Sequence, residues 1–288
     1  DSELFRYARI LESLRGWRGP RGGRHALAIA EVAFFYGGMM RSWYFTSQED
    51  GTLRRKHRAH LSCADFVAAL SRRPASLRTG ESVDTLALAV LCEASGAAWV
   101  APLDAEALQW LLLGSAAEQV AERMRLIGVM RYVPPRSGRE AVLRIDWRSQ
   151  LRGYELRSSR APLAKTSLPI QQLLTTHHPL LLAYSKQEVA APPTALHAAC
   201  AACERIAARL QGGADAGARR VCADFKLSAS GEVLLTWAAM PRADAAFPAA
   251  VFPASMSIRR LDLTLAPPIA AVPPPPPPPP LRPVPPPR

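Results

Sequence analysis

Lysine is almost missing from this chain: of its 36 basic residues, 32 are arginine and only 4 are lysine. Together with 50 alanines and 27 prolines, this composition suggests a GC-rich coding sequence and says nothing of function. Cysteine is scarce as well. The five thiols, Cys63, Cys92, Cys200, Cys203 and Cys222, form an odd, unevenly spaced set, which argues against a disulfide framework and for reduced thiols in an intracellular compartment. Aromatic residues make up 7% of the chain, so much of its apolar content is small. No stretch approaches the roughly 20 apolar residues that span a bilayer, and a transmembrane protein is not expected. The common catalytic signatures are lacking too: no GxSxG, no Walker P-loop and no GxGxxG occurs. What is present is an ordinary globular balance over 288 residues, 49% hydrophobic and 21% charged. Such a balance excludes disorder throughout and suffices for one large domain or two small ones. The first residue is Asp1, so the sequence reads as a processed chain or part of a longer one. Its first 19 residues read as an amphipathic helix and a basic Gly-rich break rather than a signal peptide.

The net charge of +12 is unevenly spread. Residues 1–80 hold 14 Lys or Arg against 7 acids, residues 81–120 hold six acids and no Lys or Arg, and residues 121–160 hold 10 Arg against 4 acids. Helical signals dominate residues 1–127. Residues 2–15 place Leu4, Phe5, Ala8, Leu11 and Leu14 near one face, and the apolar run 25–36 reads as a second helix ending at Gly37–Gly38. Residues 39–47 fit either a helix or a strand. Ser62 with Asp65, Ser82, Asp104, and Ser115 with Glu118 read as helix caps; residues 83–94 would then be helical, and the last helix would end near Gly128.

Beyond this point the pattern changes. Residues 129–133, 140–147 and 153–158 read as an antiparallel meander; in the middle strand Val142, Arg144 and Asp146 alternate with Leu143, Ile145 and Trp147, giving one charged and one apolar face. Pro169 begins a helix candidate that ends by residues 176–179, and residues 194–211 form an Ala-rich helix stopping at Gly212–Gly213. Residues 219–240 make the clearest β-hairpin, and residues 257–265 add a possible strand. From Ala266 onward, 14 of 23 residues are proline, which allows only polyproline II or coil. The expected architecture is therefore α+β: a mostly helical region (1–127), a mixed sheet-and-helix region with the meander and hairpin (128–265), and a proline-rich tail (266–288).

Two features point to docking. Pro283, Pro286 and Arg288 match the PxxPxR form taken by SH3-type grooves, and the unbroken proline run from Pro273 to Pro280 suits WW or EVH1 grooves. Arg54, Arg55, Lys56 and Arg58 form a compact basic run beside His57 and His60, and Arg15, Arg18, Arg21 and Arg24 recur through a Gly-rich loop around Trp17. Arginine forks bind carboxylates and phosphates alike, so an acidic protein surface, a nucleic acid and plain solvation all stay open, although no RRM, KH or zinc-finger signature is present. Metal sites are not expected: His197, Cys200 and Cys203 lie on one uninterrupted helix with Cys222 outside it, and His57, His60 and Cys63 repeat the same poor geometry. His177–His178–Pro179 has no nucleophile or carboxylate tied to it, and Asp146 and Asp224 read as alternating polar strand positions. No catalytic residue and no cofactor is assigned.

Residues 123–161 and the strand–turn–strand VCADFKLSASGEVLLTWAAM (residues 221–240) resemble segments of ciliary and flagellar axoneme proteins of algae and protists. That resemblance covers about 60 residues and implies a non-catalytic structural subunit of a cytoskeletal assembly, docked on tubulin or neighbouring axonemal proteins. It places the chain in the cytoplasm at the axoneme. The expected contacts are Arg54, Arg55, Lys56 and Arg58 on an acidic surface, with the proline tail on a second partner. An RNA-binding subunit of an organellar ribosome, in a mitochondrion or chloroplast, is the alternative.

Overall fold

Alternation decides less here than burial does. Residues 32–35 and 87–92 are apolar on both sides because the sheet they belong to is covered on both faces, and both segments form strands rather than helices. The computed structural model describes residues 3–16, 28–72, 85–93, 98–114, 124–134, 141–148, 152–159, 185–188, 193–211, 220–228, 231–239 and 257–258. In chain order these form α1 (Glu3–Ser13), β1 (Ala28–Ile29), β2 (Val32–Tyr36), β3 (Met39–Thr46), β4 (Leu53–Arg55) and α2 (Cys63–Ser71). There follow β5 (Ala87–Glu93), β6 (Ala98–Leu103), α3 (Ala105–Leu113), β7 (Met124–Arg131), β8 (Ala141–Arg148), β9 (Arg152–Ser159) and β10 (Ser185–Glu188). The described elements end with α4 (Pro193–Gln211), β11 (Arg220–Leu227), β12 (Val233–Ala239) and β13 (Ser257–Ile258).

The expected α+β class holds, but its helical half does not. Six strands, β1 to β6, and the start of β7 occupy what was read as a mostly helical region. A seven-stranded sheet runs β13-β6-β5-β7-β2-β3-β4 and a six-stranded sheet runs β1-β12-β11-β8-β9-β10. All described pairings are antiparallel except β1 with β12 and β13 with β6. The expected three-strand meander is split: β8 pairs with β9, whereas β7 lies between β5 and β2 in the other sheet. The proline tail, the helix candidate at Pro169 and the end of the 257–265 strand lie outside the described residues.

Period-2 geometry still sorts the side chains. Val32 and Phe34 of β2, with Leu88 and Val90 of β5, join the core that includes α1, α4 and the six-stranded sheet. Their neighbours Ala33, Phe35, Ala87, Ala89 and Leu91 join a second core with α2 and α3. A chain of rings ties the first core together: Trp237 of β12 against Tyr7 of α1 at 4.9 Å, Tyr7 against Phe34 at 6.0 Å, and Phe34 against Tyr44 at 6.0 Å. Edge-to-face and tilted contacts at these spacings add to the burial itself. Two of the expected caps are in place; Ser82 and Ser115 with Glu118 lie outside the described residues, and strands β5 and β7 stand where the helices read over 83–94 and up to Gly128 were expected. Ser62 Oγ accepts from the Asp65 amide at 3.3 Å and Asp104 Oδ1 from the Ala107 amide at 2.8 Å, so α2 and α3 start where their sequences dictate.

Candidate functional site

Residues 28–31 leave the six-stranded sheet and enter the seven-stranded one, and a cleft opens beside them. The Ile29 amide donates to Thr46 Oγ1 of β3 at 2.9 Å while the Ala30 amide donates to the Leu235 carbonyl of β12 at 3.1 Å, so the segment is bonded to both sheets at once. The cleft is a cavity of about 800 Å³, within the size range of small-molecule sites. Its apolar walls include Ile29, Trp43, Phe45, Val133 and Leu234; α2 contributes Asp65, Ala68 and Ala69, with Arg72 just past its end, and Glu31, Lys56, Arg131 and Glu232 complete the charged lining.

Two of those charges are fully committed. Arg131, at the end of β7, donates to Glu31 Oε2 from Nη2 at 2.6 Å and from Nε at 3.3 Å. Its remaining donors reach the α2 terminus: Nη2 to the Ala69 carbonyl at 2.7 Å, Nη1 to the Leu70 carbonyl at 3.0 Å and to the Arg72 carbonyl at 3.3 Å. All five guanidinium donors are thus used, three of them on backbone carbonyls at and just past the end of α2. Glu31 Oε1 accepts from Trp43 Nε1 at 2.8 Å. This node holds the cleft's shape and leaves no donor for a ligand.

Lys56 differs. It is half-buried, its ammonium lies 5.1 Å from the centre of the Trp43 ring, and no carboxylate among the described residues pairs with it. The basic run that the sequence presents as one cluster has therefore dispersed. Arg54 pairs with Asp50 at 3.0 Å and Glu49 at 3.6 Å, Arg55 with Glu12 at 3.1 Å, and Arg58 sits exposed in a single 3₁₀ turn with His57 and His60. Strand geometry is the reason: consecutive residues along β4 and its extension at Lys56, whose amide still donates to the Trp43 carbonyl, point to opposite sides, and the 3₁₀ turn follows only at Arg58. Three hydrogen bonds from Thr52 and Arg54 hold the Asp50 carboxyl well below the usual range. The Tyr44 hydroxyl donates to Glu12 at 2.7 Å, and burial with that bond raises its pKa.

A second constellation, unseen as such in the sequence, lies inside the six-stranded sheet. Arg144 donates to Asp224 through Nε at 2.8 Å and Nη2 at 2.9 Å, and Arg220 donates to Asp146 through Nε at 2.8 Å and Nη2 at 3.0 Å. All four residues are buried. The register explains the pairing, since Asp224 faces Arg144 and Cys222 faces Asp146 across the β11–β8 ladder. The charged face expected of β8 is real but does not meet solvent. Beyond it, Lys226 is 2% exposed, donates to the Val133 carbonyl at 3.3 Å and lies 4.6 Å from the Tyr132 ring centre. These forks are strong, geometrically specific contacts, and the complementary order Arg-x-Asp in one strand and Arg-x-Cys-x-Asp-x-Lys in the other was the available signal.

The buried thiols follow from the same surroundings. Cys222 donates to Asp146 Oδ1 at 3.3 Å, and burial with that carboxylate pushes its pKa up to about 12. Cys203 of α4 is pushed well above its ordinary value, chiefly by burial. Both pack as small apolar residues, and among the described residues no group of His, Cys, Asp and Glu is placed to hold a metal ion. Protonated thiol is the form the fold favours, so stability is complete below the ordinary thiol pKa of 9.0 and is lost as pH rises toward about 12. Denaturation midpoints measured at pH 8 and pH 11 are expected to fall for the native chain and to fall less for Cys222→Ala; equal falls would remove Cys222 from the explanation.

No family model and no curated protein matches this chain. Among solved structures it is similar to the ATP-grasp ligase PsnB, solved in complex with a minimal precursor. The likeness is at 10% identity and a TM-score of 0.38, covers 84% of this chain, and spans about half, 53%, of the ligase. The neighbour is an enzyme, and none of the comparisons concerns cilia. The expectation of a non-catalytic structural subunit of the axoneme, and with it the reading that the chain is no enzyme, is withdrawn on that finding. At this TM-score the likeness assigns neither fold nor activity here. Pro273, Pro280, Pro283, Pro286 and Arg288, like His177 and His178, lie outside the described residues. No described helix is long and apolar enough to cross a membrane.

Proposed function

We propose that this protein binds a small organic ligand through an anionic group, in the cleft where the two sheets meet. The observation that carries the reading is Lys56: a half-buried ammonium on the wall of an 800 Å³ cavity, stacked on Trp43 and paired with no carboxylate among the described residues. Apolar walls give such a ligand contact area, and one or two polar groups orient it. Arg72, exposed at the end of α2, offers a second cation on the same cavity. Glu31 and Arg131 neutralise each other and keep the walls rigid, which lowers the ordering cost of binding.

Titration calorimetry against phosphate, short carboxylic acids, amino acids and nucleoside phosphates tests this directly. At least one anion is expected to bind, and Lys56→Met is expected to weaken it tenfold or more, about 1.4 kcal/mol, while the denaturation midpoint stays put. Binding that survives Lys56→Met unchanged, or a panel that gives no binding at all, sinks the reading.

A further inference from the structure

The cleft carries more charge than an anion site requires. With Glu31 and Arg131 spent on each other, four charged side chains remain on its walls, Lys56 and Arg72 against Asp65 and Glu232, and none is in an ion pair among the described residues. Two cations and two anions on one cavity would ordinarily close on each other. Here the fold keeps them apart: Lys56 follows β4, Glu232 precedes β12 in the other sheet, and Asp65 and Arg72 stand on one wall formed by α2. Seven residues at a helical rise of about 1.5 Å separate the last two by roughly 10 Å, with Ala68 and Ala69 lining the cavity between them. Asp65, Arg72 and Glu232 are exposed on the mouth side of these walls and Lys56 is half-buried; partial desolvation raises the Glu232 carboxyl above the ordinary range.

We infer that the ligand is a zwitterion of the amino-acid or short-peptide kind, its carboxylate against Lys56 and Arg72 and its ammonium against Glu232 and Asp65. The inference rests on the anion-binding reading above and deepens it. Separated opposite charges favour a ligand that carries both signs, because a simple anion meets repulsion from the two carboxylates on the same walls, whereas a ligand ammonium is attracted to them. The apolar lining of Ile29, Trp43, Phe45, Val133 and Leu234 suits an aliphatic side chain between the two ends.

The test uses the full chain and four probes: leucine, the dipeptide Leu-Leu with free ends, its N-acetyl form and its C-terminal amide. A free-ended probe is expected to bind at least tenfold tighter than either capped form. Glu232→Gln combined with Asp65→Asn should remove that advantage over the N-acetyl form and leave the N-acetyl affinity itself unchanged. Lys56→Met should do the converse, weakening the free and N-acetyl forms and sparing the amide. An N-acetyl form that binds as tightly as the free dipeptide, with the carboxylate variants silent, overturns the zwitterion and leaves the anion site standing. Binding of another anion through Lys56 while none of the four probes binds has the same effect. Indifference of every probe to Lys56→Met removes both readings together.

Discussion

Replacing Arg131 by Met is expected to lower the unfolding free energy by about 3–5 kcal/mol, the range for removing one partner of a buried ion pair. Arg131 is 9% exposed and Glu31 15%, so neither group recovers its contacts from bulk water. Two kinds of bond are lost at once. Glu31 keeps only the indole of Trp43, the Leu70 and Arg72 carbonyls at the end of α2 lose the Arg131 donors, and the Ala69 carbonyl is left with the Arg72 amide. Folded domains hold only about 5–15 kcal/mol in total, so a loss of this size moves a urea midpoint far beyond experimental error. Arg131→Lys is expected to recover less than half of it, because one ammonium cannot reproduce a planar fork with five donors. A cost below about 1 kcal/mol for Arg131→Met would show that α2 holds its place without this anchor.

The second large effect belongs to the buried forks. Asp224→Asn preserves shape but removes the charge and turns one of the two oxygens that accept from Arg144 into an NH2 donor facing the guanidinium, and the expected cost is again about 3–5 kcal/mol. The double replacement Arg144→Met with Asp224→Leu removes both charges together. Apolar pairs in such positions are often as stable as the ions they replace, so the double variant should recover most of the loss. Guanidinium titration of the native chain, Arg144→Met, Asp224→Leu and the double variant closes the cycle and gives the coupling. A double variant no more stable than Asp224→Asn would mean that Arg144 serves chiefly partners other than Asp224.

Much of the fold was legible where a physical rule had a single outcome. The helices α1, α2, α3 and α4 carry caps or one-sided apolar faces, and the hairpin of β11 and β12 carries a turn at Gly231 with φ of +81°, which favours glycine. The segments containing β1, β2 and β5 were misread for an identifiable reason. A strand covered on both faces has no polar side, so its period vanishes, and alanine-rich apolar runs then look like buried helix. Charge was the other blind spot. Lys56 stands out in the sequence only as one of four neighbouring cations, and nothing local announces that it alone of the four lines the cleft. Glu31 sits in the misread segment, and its partner is 100 residues away. Asp146 and Asp224 alternate as surface strand residues do, and only the register of β8 against β11 shows that each meets an arginine.

The pairing of β1 with β12 joins Ala28 to Leu234 and Ile29 to Leu235. During synthesis, the residues that begin the cleft leave the ribosome some ten to forty seconds before those that complete it, at chain-elongation rates of about 5–20 residues per second. Throughout that interval the edge at Ala28 and Ile29 waits without its final neighbour, and loop closure over so long a separation is intrinsically slow. A nascent chain halted before β12 would therefore hold the seven-stranded sheet's local hairpins while the binding cavity did not yet exist. On the proposed reading, ligand recognition would arise only after β12 has emerged, long after the first wall of the cleft.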